Sequence, residues 1–361
     1  MRVLFILEFF PPYHGGVEKL FYHLTESLAL KSIQVTVLTA AYDDLPLEEF
    51  IGPIRIIRIK SRSRYHFSFK SISRAIKMAK EHDIIHSSTY NASLPAWIAS
   101  KTTSTPIVLT IHEYWNEIWW QLPFLNTFQR TVFWSLEQLI MMLPFNKMVG
   151  VSKYTTGRIK KRLPKRSITT IYNGQRSMNR SSSKVQGEYY LFVGRLGVSK
   201  GIDVLAGAIE LAAKSKKNLE FKMVTATTPQ PILKFIRQTI EASIDAKKVE
   251  LLHNIDDTTL VQLIQNAKAI IIPSYSEGFG FVAAEATSLG TPIIHSGKGA
   301  LREVAGGKII CFEDYSAEGL FRAILDAEAN KFQYQPPTEF SIENAANQYL
   351  VQYKSLTHTE Q

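Results

Sequence analysis

Short runs rich in β-branched and aromatic residues alternate with amphipathic helical patterns along this chain, and the alternation occurs twice. In the first half the strand-like runs are Val3–Leu7, Gln34–Thr39, Ile54–Ile59, Asp83–His86, Ile107–Thr110, Met148–Val151 and Ile168–Ile171. Glu18–Lys31 and Lys70–Lys80 lie between them with helical periodicity. Apolar strands separated by helices predict a parallel sheet covered on both faces, because parallel neighbours need a crossover. Gln175–Glu188 then loses all periodicity and is dominated by Ser, Asn, Arg and Gly, as a linker is. The pattern restarts with strands at Tyr190–Gly194, Glu220–Val224, Val249–Leu252, Ala269–Pro273, Pro292–His295 and Lys308–Cys311. Asp203–Lys214 and Asp257–Asn266 are helical patterns among them, and a last one, Ser341–Ser355, follows Pro336-Pro337. The expected fold class is α/β, with two tandem Rossmann-like, doubly wound domains. Their expected boundaries are 1–174 and 189–340, joined by a linker at 175–188 and followed by a helix and tail at 341–361. Ligands of such sheets bind beyond the carboxyl ends of the strands, and two facing domains make an interdomain cleft.

Several classes are disfavoured. The apolar run Val3–Phe10 is interrupted by Glu8 and closed by Pro11-Pro12, so it reads as a buried first strand rather than a signal peptide. The nearest candidate for a membrane span, Thr131–Phe145, carries Glu137 and is broken by Pro144, so no transmembrane helix is expected. The single cysteine, Cys311, sits in an apolar run and reads as a core residue. The net charge of +10 is unevenly placed: residues 1–175 hold 22 Lys and Arg against 12 Asp and Glu, whereas the rest balance. A basic first half suits an anionic partner, or is a solvated surface.

Four constellations can carry chemistry. Pro11-Pro12-Tyr13-His14-Gly15-Gly16 follows the first strand and opens a helix. Its glycines permit close backbone approach, and free N–H groups at a helix start suit phosphate, although a plain turn reads the same way. Gly194-Arg195 and Lys200-Gly201 follow the first strand of the second half, where two cations can clamp a diphosphate or remain solvated. Pro273-Ser274-Tyr275-Ser276-Glu277-Gly278-Phe279-Gly280-Phe281-Val282 leads from a strand through a glycine-punctuated loop into a helix that carries Glu285. Carboxylates pair with diols while backbone N–H groups hold phosphates, which is what a nucleotide sugar requires. Thr110-Ile111-His112-Glu113 places a histidine at the carboxyl end of a strand, where it can meet a hydroxyl or serve the core. There is no GxGxxG, no P-loop, no Asp-x-Asp and no zinc spacing, so no metal is expected to hold the diphosphate.

In this order and spacing, the loop before Gly15-Gly16, Thr-x-His112-Glu113, Val151-Ser152, Tyr172-Asn173-Gly174, Arg195…Lys200, Glu277-x7-Glu285, Gly299…Glu303 and Phe340-Ser341…Tyr353 resemble glycosyltransferase family 4 (group 1) over nearly the full length. That family holds retaining enzymes of the GT-B fold. The resemblance implies a retaining, metal-independent hexosyltransferase whose UDP- or GDP-sugar is a substrate, with no cofactor. It implies an acceptor-binding first domain, a donor-binding second domain and a C-terminal helix crossing back to the first. By position, Gly15, Gly16, Arg195, Lys200, Phe279, Gly280, Phe281 and Val282 would hold the diphosphate. Glu285 would hold the ribose, while His112 and Glu277 would sit at the transferred sugar. The chain departs from the family where Thr225-Ala226-Thr227-Thr228-Pro229 replaces a glycine turn and where Asn254 precedes Ile255 in place of glycine. Both departures fall in the expected nucleobase region (Thr225, Asn254, Ile255).

The acceptor implied is a glycan or a lipid-linked or phosphorylated molecule of polysaccharide, glycolipid or cell-envelope synthesis. Aromatics in Tyr114–Phe124 and cations in Arg158–Arg166 suit an anionic membrane surface, or else fill core and remain solvated; a cytoplasmic enzyme is expected, peripheral on the inner face of the cell membrane in the first case. Nucleic acid is not an expected partner. The alternatives are a nucleotide-sugar epimerase of the same fold and a non-catalytic sugar-nucleotide binder.

Overall fold

The computed structural model describes residues 1–13, 15–123, 125–176, 178, 187–197, 199–215, 217–225 and 249–357. Two compact units are present: Met1–Asn116, Thr131–Arg176 and Phe340–Gln361 form one, Glu117–Arg130 and Ser177–Glu339 the other.

The first unit is built on β1 (Arg2–Ile6), β2 (Gln34–Ala41), β3 (Glu48–Ile51), β4 (Ile54–Lys60), β5 (Ile84–Ser88), β6 (Ile107–Ile111), β7 (Lys147–Gly150) and β8 (Ile168–Thr170). Their order is β3-β4-β2-β1-β5-β6-β7-β8, parallel except for β3 against β4. β1 lies at the centre and its Val3, Leu4, Phe5 and Ile6 have no exposed surface, which is why its sequence is continuously apolar rather than alternating. Helices α1 (Gly16–Ala29), α2 (Arg64–Lys70), α3 (Ile72–Ala79), α4 (Ser93–Thr103), α5 (Thr127–Met142) and α6 (Lys153–Arg162) supply the crossovers. The helical pattern over Lys70–Lys80 is α3, and the unexpected α2 precedes it, the two meeting at Ser71, whose buried hydroxyl donates to Phe67 O at 2.7 Å. The earlier helix starts at Ser63, whose side chain caps the His66 N–H.

The second unit contains β9 (Tyr189–Val193), β10 (Glu220–Thr225), β11 (Val249–His253), β12 (Ala269–Ile272), β13 (Ile293–His295), β14 (Gly307–Cys311) and β15 (Gln333–Gln335), ordered β11-β10-β9-β12-β13-β14-β15. Helices α7 (Ile202–Lys214), α8 (Asp257–Asn266), α9 (Phe281–Leu289), α10 (Leu301–Val304) and α11 (Ala317–Glu328) accompany it. β3 and β15 were not expected from the sequence. Both are antiparallel edge strands, Glu-Glu-Phe-Ile and Gln-Tyr-Gln, too short and too exposed to show a buried-strand pattern.

The final helix, α12 (Ile342–Thr357), packs on the first unit. Buried His86 of β5 is hydrogen-bonded through Nδ1 to the Tyr353 hydroxyl at 2.5 Å and through Nε2 to Thr110 Oγ at 2.7 Å. Thr110 Oγ is in turn 2.8 Å from the Tyr349 hydroxyl. Entry to the helix is fixed where Gln175 N–H donates to Phe340 O at 2.8 Å and Ile342 N–H to Gln175 O at 3.1 Å. Tyr172 rests on the Phe340 ring at 5.2 Å. The Tyr172-Asn173-Gly174 motif therefore lies where this helix docks.

Candidate active site

In the second sheet the chain runs outward from β9 to β11 on one side and from β12 onward on the other. The loops after β9 and β12 therefore diverge at a topological switch point, where doubly wound sheets bind ligands. The β9 loop carries Arg195 and Lys200. The β12 loop carries Ser274 to Gly280.

The two loops are joined by an ion pair. Lys200 Nζ donates to Glu277 Oε1 at 2.7 Å, and the Ser274 hydroxyl donates to the same oxygen at 2.7 Å. Glu277 is buried, while Lys200 keeps partial exposure. Backbone contacts set this geometry. Tyr275 N–H donates to Ser199 O at 2.8 Å, and the Tyr315 hydroxyl donates to Pro273 O at 2.7 Å. Gly201, next to Lys200, has φ +64°, and a Cβ there would lie 1.8 Å from Pro273 O. Only glycine lets the α7 start approach the end of β12 so closely. Behind Glu277, Ala300 N–H donates to Glu277 O at 2.8 Å. Gly299, at φ +69°, leaves room for that carbonyl: its Cβ would be 2.2 Å from it.

α9 begins immediately after this loop, with Gly280 as N-cap and no side chain closing its first N–H groups. Phe279 is buried against Phe281, ring centroids 5.3 Å apart, and Phe281 and Val282 form the first turn. Glu285 follows on the second turn, half-buried. The second unit thus brings together Lys200, Glu277, the α9 start and the Glu285 helix. Arg195 stays exposed in its loop, with no ion pair among the described residues. Ser274, Ser296 (whose hydroxyl donates to Ser274 O at 2.7 Å), Tyr315 and the Tyr275–Asp203 hydrogen bond of 2.7 Å belong to this framework. Sequence reasoning did not single them out. The one available signal was that Ser274 and Tyr275 fall inside the quoted motif.

The expected nucleobase region is partly described. Thr225 closes β10, but its hydroxyl is buried and lies 3.1 Å from His253 Nδ1 on β11. Asn254 has φ +52°, the left-handed conformation that asparagine adopts more readily than most residues. Replacing the family's glycine there keeps the turn. Ile255 is half-buried between Asn254 and the α8 cap, Asp256, whose carboxylate accepts from Thr259 N–H at 2.9 Å. Residues 226–229, like His14, Phe124 and most of 175–188, lie outside the described residues.

In the first unit, Gly15 caps α1, Gly16 begins it, and Glu18 in its first turn is buried. The Glu18 carboxylate lies back over Gly15, so that a Cβ at Gly15 would be 2.1 Å from Glu18 Oε2. That oxygen has no hydrogen-bond partner among the described residues. A carboxylate at this position complements the partial positive charge of the helix start. His112, just past β6, packs edge-on to Phe21 at 5.5 Å. Both its ring nitrogens are buried without a partner among the described residues, and burial lowers its pKa to about 4. It is a neutral imidazole with an unused donor and an unused acceptor.

The aromatic segment of the first half is partly buried, with Trp120 exposed, and the basic segment is largely exposed. Tyr114, Ile118 and Leu122 are buried. Arg158 donates to Tyr114 O at 3.1 Å and Trp115 O at 2.8 Å, and lies over the Tyr114 and Tyr154 rings. Ser152, the motif residue after β7, caps α6 by accepting from Thr155 N–H. Among the described residues no group of three or more His, Cys, Asp and Glu is placed to hold a metal, and no helix is long and apolar enough to cross a membrane.

Comparison with known proteins agrees with this architecture. Residues 14–175 match the family model described as Glycosyltransferase Family 4, and residues 175–348 match Glycosyl transferases group 1. An uncharacterised glycosyltransferase of Methanocaldococcus jannaschii is 27% identical over 341 residues, spanning 84% of this chain and 82% of the relative. Sucrose-phosphate synthase of Thermosynechococcus elongatus superposes with a TM-score of 0.78 at 19% identity, over 99% of this chain and 96% of that one. HepE of Anabaena, solved in complex with UDP and glucose, superposes with a TM-score of 0.69 at 17% identity, over 98% and 100%.

Proposed function

Because the chain belongs to the group 1 glycosyltransferases of family 4 and has the GT-B fold, we propose that it moves a hexose from a nucleoside-diphosphate sugar to a glycan or to a lipid-linked or phosphorylated acceptor. The observation that carries the reading is the Lys200–Glu277 pair at the switch point, beside the uncapped start of α9. Lys200, Arg195 and the N–H groups of Phe279 to Val282 meet the diphosphate, so its charge is neutralised without a metal. A diphosphate arriving at Lys200 shares its ammonium with Glu277. Glu277 then offers its other oxygen to hydroxyls of the sugar. Glu285 accepts from the ribose diol, and Asn254 and Ile255 border the base.

By the family resemblance, His112, Gly15 and Gly16 are further candidates for contacts to the donor, and the neutral His112 imidazole has a donor and an acceptor to offer a hydroxyl. Buried polar atoms without partners gain most from such a contact. This reading needs no glycosidase-like pair of carboxylates. Retention then follows if the departing phosphate takes the acceptor proton on the face it leaves. HepE, with its UDP and glucose, makes UDP-glucose the first donor to try.

A thermal-shift panel of UDP-, GDP- and ADP-sugars tests the reading. Ligand at 100 times its Kd stabilises the folded state by about 2.7 kcal/mol, or roughly 5–10 °C for a domain of this size. One nucleotide class should shift the wild type and not Lys200→Ala. No shift with any of them would overturn the proposal. Turnover of donor alone to an isomer, without release of nucleoside diphosphate, would identify an epimerase instead.

A further inference from the structure

α5 buries only part of its apolar surface and leaves several large apolar side chains exposed. Its inward side joins Met141, buried in the core, to two polar residues, Glu137 and Gln138: Glu137 accepts from the N–H groups of Trp115 at 2.9 Å and Asn116 at 2.7 Å. The Tyr90 hydroxyl lies 2.9 Å from the same carboxylate. Arg130, the helix's other charged residue, donates to Leu122 O at 2.8 Å. The opposite side is apolar and open to solvent: Phe128, Leu136, Leu139 and Met142 are 77%, 40%, 57% and 53% exposed. With Val132, these recur at spacings of three and four residues and form one stripe. A 16-residue helix is too short to span a bilayer but can lie flat in its interface.

Cations border the stripe. Arg162 Nε donates to Gln138 Oε1 at 3.4 Å and Arg166 donates to Met142 O at 2.8 Å, which fixes the end of α6 and the turn after it against the end of α5. Lys160, Lys161 and Lys165 are exposed there, with no ion-pair partner among the described residues. From Glu137 to the next acid, Glu188, the sequence contains 11 Lys and Arg and no Asp or Glu. No carboxylate on this stretch competes for those lysines.

We propose that the outward face of α5, with Lys160, Lys161 and Lys165, is the surface by which this protein lies on a bilayer containing anionic phospholipid. The leucines and Phe128 enter the acyl boundary, and the lysines meet the headgroup phosphates. The proposed surface is α5 rather than the aromatic segment before it, in which Tyr114, Ile118 and Leu122 are buried. A second protein would need a complementary acidic and apolar surface. The mixture of one uncharged stripe and unpaired lysines fits a lipid interface, which supplies both at once. The assignment is independent of the donor site, because vesicle binding is read without turnover.

Co-sedimentation with phosphatidylglycerol-containing and pure phosphatidylcholine vesicles tests it. The full chain should sediment with the anionic vesicles at low salt, less at high salt, and weakly with phosphatidylcholine. Leu136→Glu with Leu139→Glu should abolish sedimentation. Lys160→Glu with Lys161→Glu should weaken it at least tenfold. Both doubles should keep the wild-type melting temperature and donor hydrolysis, since the substituted side chains are exposed. A wild type that ignores anionic vesicles overturns the proposal, as does a leucine double variant that still sediments. A wild-type dimer that the leucine double converts to a monomer would assign the face to a second copy and also overturn it.

Discussion

Replacing Gly299 with alanine tests whether the Glu277 backbone is held where the site needs it. The new Cβ would lie 2.2 Å from Glu277 O, 2.5 Å from its N and 2.9 Å from its C, at φ +69°. Gly307→Ala is the matched control: its φ is +80°, and nothing lies within 4 Å of its Cβ. Both substitutions pay about 1–2 kcal/mol for a left-handed alanine. Only Gly299→Ala must also push a backbone segment away by roughly an ångström, because an ordinary carbon–oxygen contact lies above about 3 Å. That shift breaks or stretches the Ala300 N–H bond to Glu277 O, now 2.8 Å, at a further cost of about 1–3 kcal/mol. Each kcal/mol lowers the melting temperature of a domain this size by about 2–4 °C. Gly299→Ala should therefore melt several degrees below Gly307→Ala in calorimetry. It should also lose about 100-fold in donor turnover, the usual penalty for an ångström of misplacement, while Gly307→Ala keeps near wild-type turnover. Equal melting temperatures and equal activities for the two variants would refute the reasoning.

Acid should destabilise the first unit well before its carboxylates titrate. Burial, with His112 adding repulsion, lowers the His86 pKa to about 3, so the folded state holds it neutral, whereas the unfolded chain protonates it near its ordinary value of 6.5. The unfolded state then binds more protons as the pH falls below 6.5, and about 2 kcal/mol of stability is lost from pH 7 to pH 5 on account of His86 alone. His112, lowered to about 4, acts in the same direction, and His295, also lowered to about 4, does so in the second unit. Urea melts at the two pH values measure this, and unchanged stability would contradict it. A chelator should leave nucleoside-diphosphate release within about twofold, because Lys200, Arg195 and the α9 start are assigned the diphosphate charge. Loss of turnover restored by a divalent cation would refute that assignment.

The parallel sheets were legible because central strands such as β1 and β12 are buried on both faces, and Val3–Ile6 and Ala269–Ile272 are accordingly continuous apolar runs. β3 and β15 were not, because edge strands bury little and their residues need not be apolar. As candidates, Lys200, Glu277 and Glu285 stood out in the sequence because they are charges in or just after glycine-rich turns that follow strands. The direct bond between Lys200 and Glu277 was not, since it depends on β9 and β12 being neighbours although 77 residues separate the two side chains. Ser274 and Tyr315 were missed for a related reason: a hydroxyl that holds a loop is indistinguishable in sequence from one that is solvated. Asn254 was legible as a departure, but only its positive φ shows that the turn survives. The apolar stripe of α5 was read from the sequence as a failed membrane span. Only the inward-facing Glu137 shows that the leucines face out.

Whether the Lys200–Glu277–Glu285 region turns over a nucleotide sugar is read from the release of nucleoside diphosphate from UDP-, GDP- and ADP-hexoses by the wild type and by Glu285→Ala, with folding of both verified. Loss of a charged hydrogen-bonded contact to the ribose costs about 2–4 kcal/mol, equivalent to roughly 30- to 1,000-fold in turnover. The wild type should turn over one donor class, and Glu285→Ala should fall by that factor. Release by Glu285→Ala within about twofold of wild type, or no release by the wild type from any donor, would contradict it.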